Sequence, residues 1–163
     1  MLRKFLGSLV LVTLLLSAFS LMAQAPPPTP YGLPINIEGA KKVAAAAVAE
    51  AKKGNLTMAV AVVDTAGFLI YFEKMDGTQH GSVDVAIDKA RSATLFRRPT
   101  KVFQDGLAAG GEGLRFLELR NAIPIDGGFP LIMDGKIVGA IGASGGTGDQ
   151  DGRVAKAGAD SVK

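Results

Sequence analysis

The sequence predicts an α+β fold: an α/β sandwich in which helices pack on an antiparallel sheet of about five strands. Three observations carry this. Two stretches hold apolar residues at helical spacing, several short runs have strand composition, and turn residues join those runs where parallel strands would need helical crossovers.

In the first helix, Ala40, Val43, Ala44, Ala47, Val48 and Ala51 share one face while Lys41, Lys42, Glu50, Lys52 and Lys53 fall elsewhere. Asn36 is placed to cap it and Gly54 to end it in a left-handed residue. Met58 to Val63 is apolar on both alternating faces, as a central strand covered on each side must be. Asp64-Thr65-Ala66-Gly67 turns the chain, and Phe68 to Phe72 completes a hairpin. Val83, Ala86, Ile87, Ala90, Ala93 and Thr94 define a second helix that stops near Arg97-Arg98-Pro99. A shorter helix is expected over Lys101 to Ala108, and a mobile loop at Gly110-Gly111-Glu112-Gly113. Ile123-Pro124-Ile125 reads as a short extended piece. Phe129 to Met133 and Lys136 to Ala143 form a hairpin about Asp134-Gly135, and an alanine-rich helix begins near Asp149.

Ahead of this domain, Arg3 and Lys4 precede an apolar run from Phe5 towards Met22, and Ala23-Gln24-Ala25 supplies the small residues that signal peptidase reads. Residues 1–25 are therefore expected to be a secretory signal, and the chain periplasmic or secreted. Pro26 is awkward for cleavage, and an uncleaved run approaches the roughly 18 to 20 apolar residues of a membrane span, so a tethered form stays open. Residues 26–34 are proline-rich and read as a semi-rigid spacer, leaving 35–163 as one domain.

Of the net charge of +3, Arg3 and Lys4 supply two, so the domain lacks the basic face of a nucleic-acid binder. With no cysteine, disulfides, thiolate zinc, Fe–S clusters and covalent c-type haem are excluded. A single histidine, His80, excludes multi-histidine metal sites. His80 reads either as a solvated residue where the second helix starts or as an axial haem ligand.

The corner Arg97-Arg98-Pro99-Thr100-Lys101 lies between Phe96 and Phe103, where one helix ends and another begins. An amphiphilic anion such as haem finds cations and apolar rings together there. The structural alternative is that Pro99 breaks the helix, Thr100 caps the next, and the arginines meet a helix C-terminus. The glycines from Gly139 to Gly148 lack the lysine and spacing of a phosphate loop. They suit a close-packed strand followed by a backbone nest for a carboxylate.

Met58 to Gly67, Lys74-Met75-Asp76-Gly77, Ala86 to Ala93, Arg98-Pro99-Thr100, Gly127-Gly128-Phe129-Pro130-Leu131 and Gly139 to Gly146, in this order and spacing, resemble the GlcG/HbpS family across about residues 35 to 162. That family is also related to the C-terminal domain of PduO-type corrinoid adenosyltransferases. The resemblance implies a profilin-like sandwich, a homo-oligomer (dimer or octamer) and, in exported members, haem binding, with Thr100 at the position of a threonine that contributes to haem coordination.

The function expected is therefore an exported haem-binding or haem-scavenging protein. Phe96, Phe103 and Phe129 would contact the ring, Arg97, Arg98 or Lys101 the propionates, and Thr100 or His80 the iron. The alternative is a sensor or accessory module in which Lys89, Gly127, Gly128, Gly145 and Gly146 hold a small organic acid. An enzyme acting on a small exported substrate ranks third, because no nucleophile and base pair can be named.

Overall fold

The computed structural model describes residues 27–162; the expected signal at 1–25, like Pro26, lies outside them. Its centre is a four-stranded antiparallel sheet in the order β2-β1-β4-β3, with β1 Ala59–Val63, β2 Leu69–Lys74, β3 Gly128–Met133 and β4 Lys136–Ser144. The four helices are α1 Ile37–Lys53, α2 Ser82–Leu95, α3 Lys101–Ala108 and α4 Gly148–Ala159.

Helices α1 and α4 cover one face of the sheet, meeting Val60, Val62, Leu131, Ile141 and Ala143. Helix α2 covers the other, where Ala86, Ala90 and Ala93 meet Ala59, Ala61, Val63 and Ala140. β1 is buried along its whole length because both layers and two neighbouring strands enclose it. The second interface is almost wholly alanine, so α2 lies unusually near the sheet. At Gly142 of β4 a Cβ would strike the backbone of Ala86 and Ala90.

Local chemistry explains the boundaries. Asn36 Oδ1 accepts from the Gly39 N–H (2.8 Å) at the start of α1. Asp64 Oδ1 accepts from the N–H groups of Ala66 and Phe68 and shapes the β1–β2 turn. Asp134 and Gly135 take φ of 49° and 71°, the left-handed pair that a tight two-residue hairpin needs. Thr147 and Gln150 form a reciprocal capping box on α4.

Four expectations change. The sheet has four strands, because Ile123-Pro124-Ile125 pairs with no strand: Pro124 has no N–H, and the Ile123 N–H donates to Ser92 Oγ. The glycine-rich stretch forms a 3-10 helix, Gly111–Leu117, since the missing side chains at Gly106 and Gly113 let its backbone and Phe116 lie directly on α3. Gly54 keeps a φ of −87°, and Asn55, at 51°, is the left-handed residue after α1. Residues 30–34, read as part of a spacer, are together with Ile35 a strap along β4. Pro30 O accepts from Ile137 N–H, Gly32 N–H donates to Ile137 O and Ile35 N–H to Val138 O, each at 2.8 Å, where β4 runs on past the end of β1.

The alanine interface makes a testable demand. Gly142→Ala inserts one methyl where α2 has no room to retreat, and should lower stability by about 3 kcal/mol. Urea denaturation should show the midpoint falling with the slope unchanged.

Candidate functional site

The corner that follows α2 is built by the way that helix ends. Arg98 N–H donates to Ala93 O and Arg97 N–H to Thr94 O, the paired bonds of a Schellman motif. The left-handed position in such a motif is usually glycine. Here it is Arg97, at φ 54°, a conformation that disfavours a side chain by about 1–2 kcal/mol. Its guanidinium stacks 4.4 Å from the centre of the Tyr31 ring, and the Tyr31 hydroxyl donates to Thr94 O at 2.8 Å. The strap thus holds Arg97 in place. Arg98 Nε donates to Phe96 O (3.0 Å), with its guanidinium 5.8 Å from the Phe103 ring.

Between residues 27–29, which lead into the strap, and this corner lies an open groove of about 580 Å³. Pro27 and Pro28 form one wall, Leu95, Phe96 and Val102 supply apolar surface, and Arg97 and Arg98 supply charge. Behind it, Phe96, Phe103 and Phe116 stack edge to face with centroids 5.2 Å apart, which fixes Phe96. The groove therefore offers an apolar surface and two guanidinium groups on one face.

Other residues expected at this site lie elsewhere. Thr100 is fully buried, exchanges hydrogen bonds with Gly128 through its backbone N–H and its hydroxyl, and makes no side-chain cap for α3. Its hydroxyl faces the protein. Lys101 is exposed and paired with Asp105 at 2.7 Å. Phe103 is buried behind the groove. Phe129 packs on the α1/α4 layer, across the sheet from Phe96. His80 is exposed at the start of α2, and the 14 residues of that helix, roughly 20 Å, separate it from Arg97. His80 and Thr100 are therefore not interchangeable donors to one iron.

Lys89, Gly145 and Gly146 do converge on a carboxylate, but it is the chain's own Asp151. Lys89 Nζ donates to Asp151 Oδ2 (2.6 Å) and Ala143 O (3.1 Å), while the N–H groups of Gly145 and Gly146 donate to Asp151 Oδ1. Both side chains are essentially excluded from solvent. Gly127, at φ 122°, and Gly128 pack against this cluster and the α2 backbone, where a Cβ would collide with Lys89 Nζ, Asp151 and the Lys89 carbonyl. The glycines admit the ion pair.

Sequence reasoning passed over two residues. Tyr31 was assigned to the spacer, although Arg97 needs a partner. Asp126 was given no role, yet it is buried, and Gly152 leaves room for its carboxylate against α4. Burial pushes the Asp126 carboxyl above its ordinary value, with Asp149 adding to the rise, against the Gly127 N–H and the charges of Lys101 and Lys89. Among the described residues, no group of three or more His, Cys, Asp or Glu side chains is arranged to hold a metal ion, and no helix is long and apolar enough to cross a membrane.

Residues 35–160 match the family described as haem degrading protein HbpS-like. Protein GlcG of Escherichia coli K12 is 38% identical over 105 residues, 64% of this chain and 77% of that protein. The solved HbpS double mutant of Streptomyces reticuli superposes with a TM-score of 0.74 at 31% identity, covering 86% of this chain and 99% of that one. A PduOC:haem complex shares the fold at a TM-score of 0.72 and 23% identity, covering 80% and 96%.

Two substitutions probe the buried charges. Lys89→Met strands the Asp151 carboxylate in the interior and should lower stability by about 3–5 kcal/mol by denaturant titration, with Asp151→Asn in the same chain recovering part of the loss. Asp126 binds its proton more tightly folded than unfolded. Stability at this group is thus lost as pH rises from the ordinary carboxylate value through the raised one. Asp126→Asn should therefore melt above the parent at neutral pH, and thermal melts should show the difference closing in acid.

Proposed function

The chain belongs to the HbpS-like family, and from that premise we propose that it binds or scavenges haem outside the cytoplasm. The observation that carries this reading is the groove beside α2, whose apolar floor and paired arginines suit a flat ring edged by carboxylates. Leu95, Phe96 and Val102 would take the ring, with Pro27 and Pro28 as the facing wall, and Arg97 and Arg98 would take the propionates. Haem supplies an iron centre whose behaviour its axial donor and pocket polarity set. Thr100 is buried, His80 lies at the far end of α2 and the Tyr31 hydroxyl is held on the Thr94 carbonyl, so what the groove offers is its hold on the ring and the propionates.

Export is part of the proposal. It is supported by the charged start, the apolar run and Ala23-Gln24-Ala25 ahead of the domain. So is a homo-oligomer, dimer or octamer, which the exposed Phe68 and Leu69 at the outer strand β2 support. A small organic acid is the weaker reading, because Asp151 already occupies the Lys89, Gly145 and Gly146 donors.

Haemin titrated into the chain at micromolar concentration should shift the Soret band. Arg97→Gly separates binding from folding: glycine suits the left-handed position, so stability should stay within about 1 kcal/mol of the parent while haemin affinity falls roughly tenfold. Tyr31→Phe, which unties the strap from the Thr94 carbonyl, should weaken haemin binding, and His80→Ala should leave it unchanged. A Soret band indifferent to the protein removes the proposal.

A further inference from the structure

A second cavity lies on the other side of the sheet, and its chemistry differs from that of the groove. Asp126 is 5% exposed. Its Oδ1 accepts from the Gly127 N–H at 2.6 Å, and its backbone N–H donates to Gln104 Oε1 at 2.9 Å, so the residue is held from two sides. Among the described residues, Oδ2 has no hydrogen-bond partner. It lies against Gly152 inside α4, where a Cβ would strike the carboxylate. A helical glycine is destabilising relative to alanine, and here it keeps open the space that a buried carboxylate occupies.

The carboxylate borders a cavity of about 510 Å³ whose wall includes Phe129, Asp149, Arg153 and Lys156. The cations near it are committed elsewhere: Lys89 to Asp151, Lys101 to Asp105 and Lys156 to Asp160. Arg153 is exposed and, among the described residues, forms no ion pair. The cavity therefore presents an unpaired carboxylate oxygen that reaches its opening from an otherwise buried residue, an aromatic side chain and a free guanidinium. A carboxylate beside an aromatic ring favours an ammonium, and a guanidinium favours a second carboxylate.

We propose that this cavity binds a small zwitterion with an apolar side chain, of the α-amino acid class, its ammonium on Asp126 Oδ2, its carboxylate on Arg153 and its side chain on Phe129. The site is independent of the haem reading, since Phe129 belongs to the α1/α4 layer while the groove lies at the end of α2.

Calorimetric titration of the chain with L-phenylalanine, phenethylamine and 3-phenylpropionate tests this. L-Phenylalanine should bind at least tenfold more tightly than either half-ligand. Asp126→Asn should remove the advantage conferred by the amine, Arg153→Gln that conferred by the carboxylate, and Arg97→Gly neither. Gly152→Ala, which pushes the Asp126 carboxylate aside, should weaken L-phenylalanine in a chain whose circular dichroism is unchanged. Absence of binding by all three compounds at millimolar concentration overturns the proposal, as does L-phenylalanine affinity that Asp126→Asn leaves intact.

Discussion

The architecture turns on the buried ion pair between Lys89 and Asp151. It joins α2 to α4 through the sheet, because the same ammonium also bonds the Ala143 carbonyl of β4 and the same carboxylate accepts the amides that follow β4. Two charges removed from water persist only when their remaining hydrogen-bonding capacity is met, and here three elements meet it together. That requirement fixes the neighbours. Gly127 has no side chain because Lys89 Nζ and Asp151 occupy the space, and Gly128 has none because the α2 backbone and Thr100 press on it.

With α2 pinned at its middle, its small residues settle on the sheet and its end falls at a defined place. That place is the corner with Arg97, where the chain adopts a glycine-like conformation with an arginine. Strain at such a position persists when surrounding contacts impose it, and the Tyr31 ring and the Schellman bonds do so here. The arginine is thereby presented beside the groove and not left to sample solvent. Fold and site are coupled through one helix: the ion pair sets where it lies, and its end sets what the groove can hold.

Much of this was legible. The 3.6-residue spacing from Ala40 to Ala51 marks the face of α1 that is buried, and Asp134-Gly135 marks the β3–β4 hairpin because its backbone angles suit those residues. The short helix α3 runs from Lys101 to Ala108 as expected. The family was legible for a related reason: its glycine-punctuated segments keep their order and spacing. Lys89 was harder. It follows Ala86 by three and precedes Ala93 by four, which puts it on the buried face, but its partner lies in another helix that no local pattern connects to it. Thr100, the strap and Gly152 were invisible for the same reason. Their roles come from what lies opposite them in space, and a proline-rich or glycine-rich stretch says nothing about its opposite number.

The strap along β4 also bears on the order of events. A chain that emerges with its N-terminus first presents Pro30 and Gly32 early, yet the groups they bond belong to Ile137 and Val138, near the other end of the domain. Loop closure over so long a separation comes late, and the segment stays extended until the β3–β4 hairpin has formed. The stretch that appears first is thus among the last to dock, and the groove it walls is completed after the sheet, not with it.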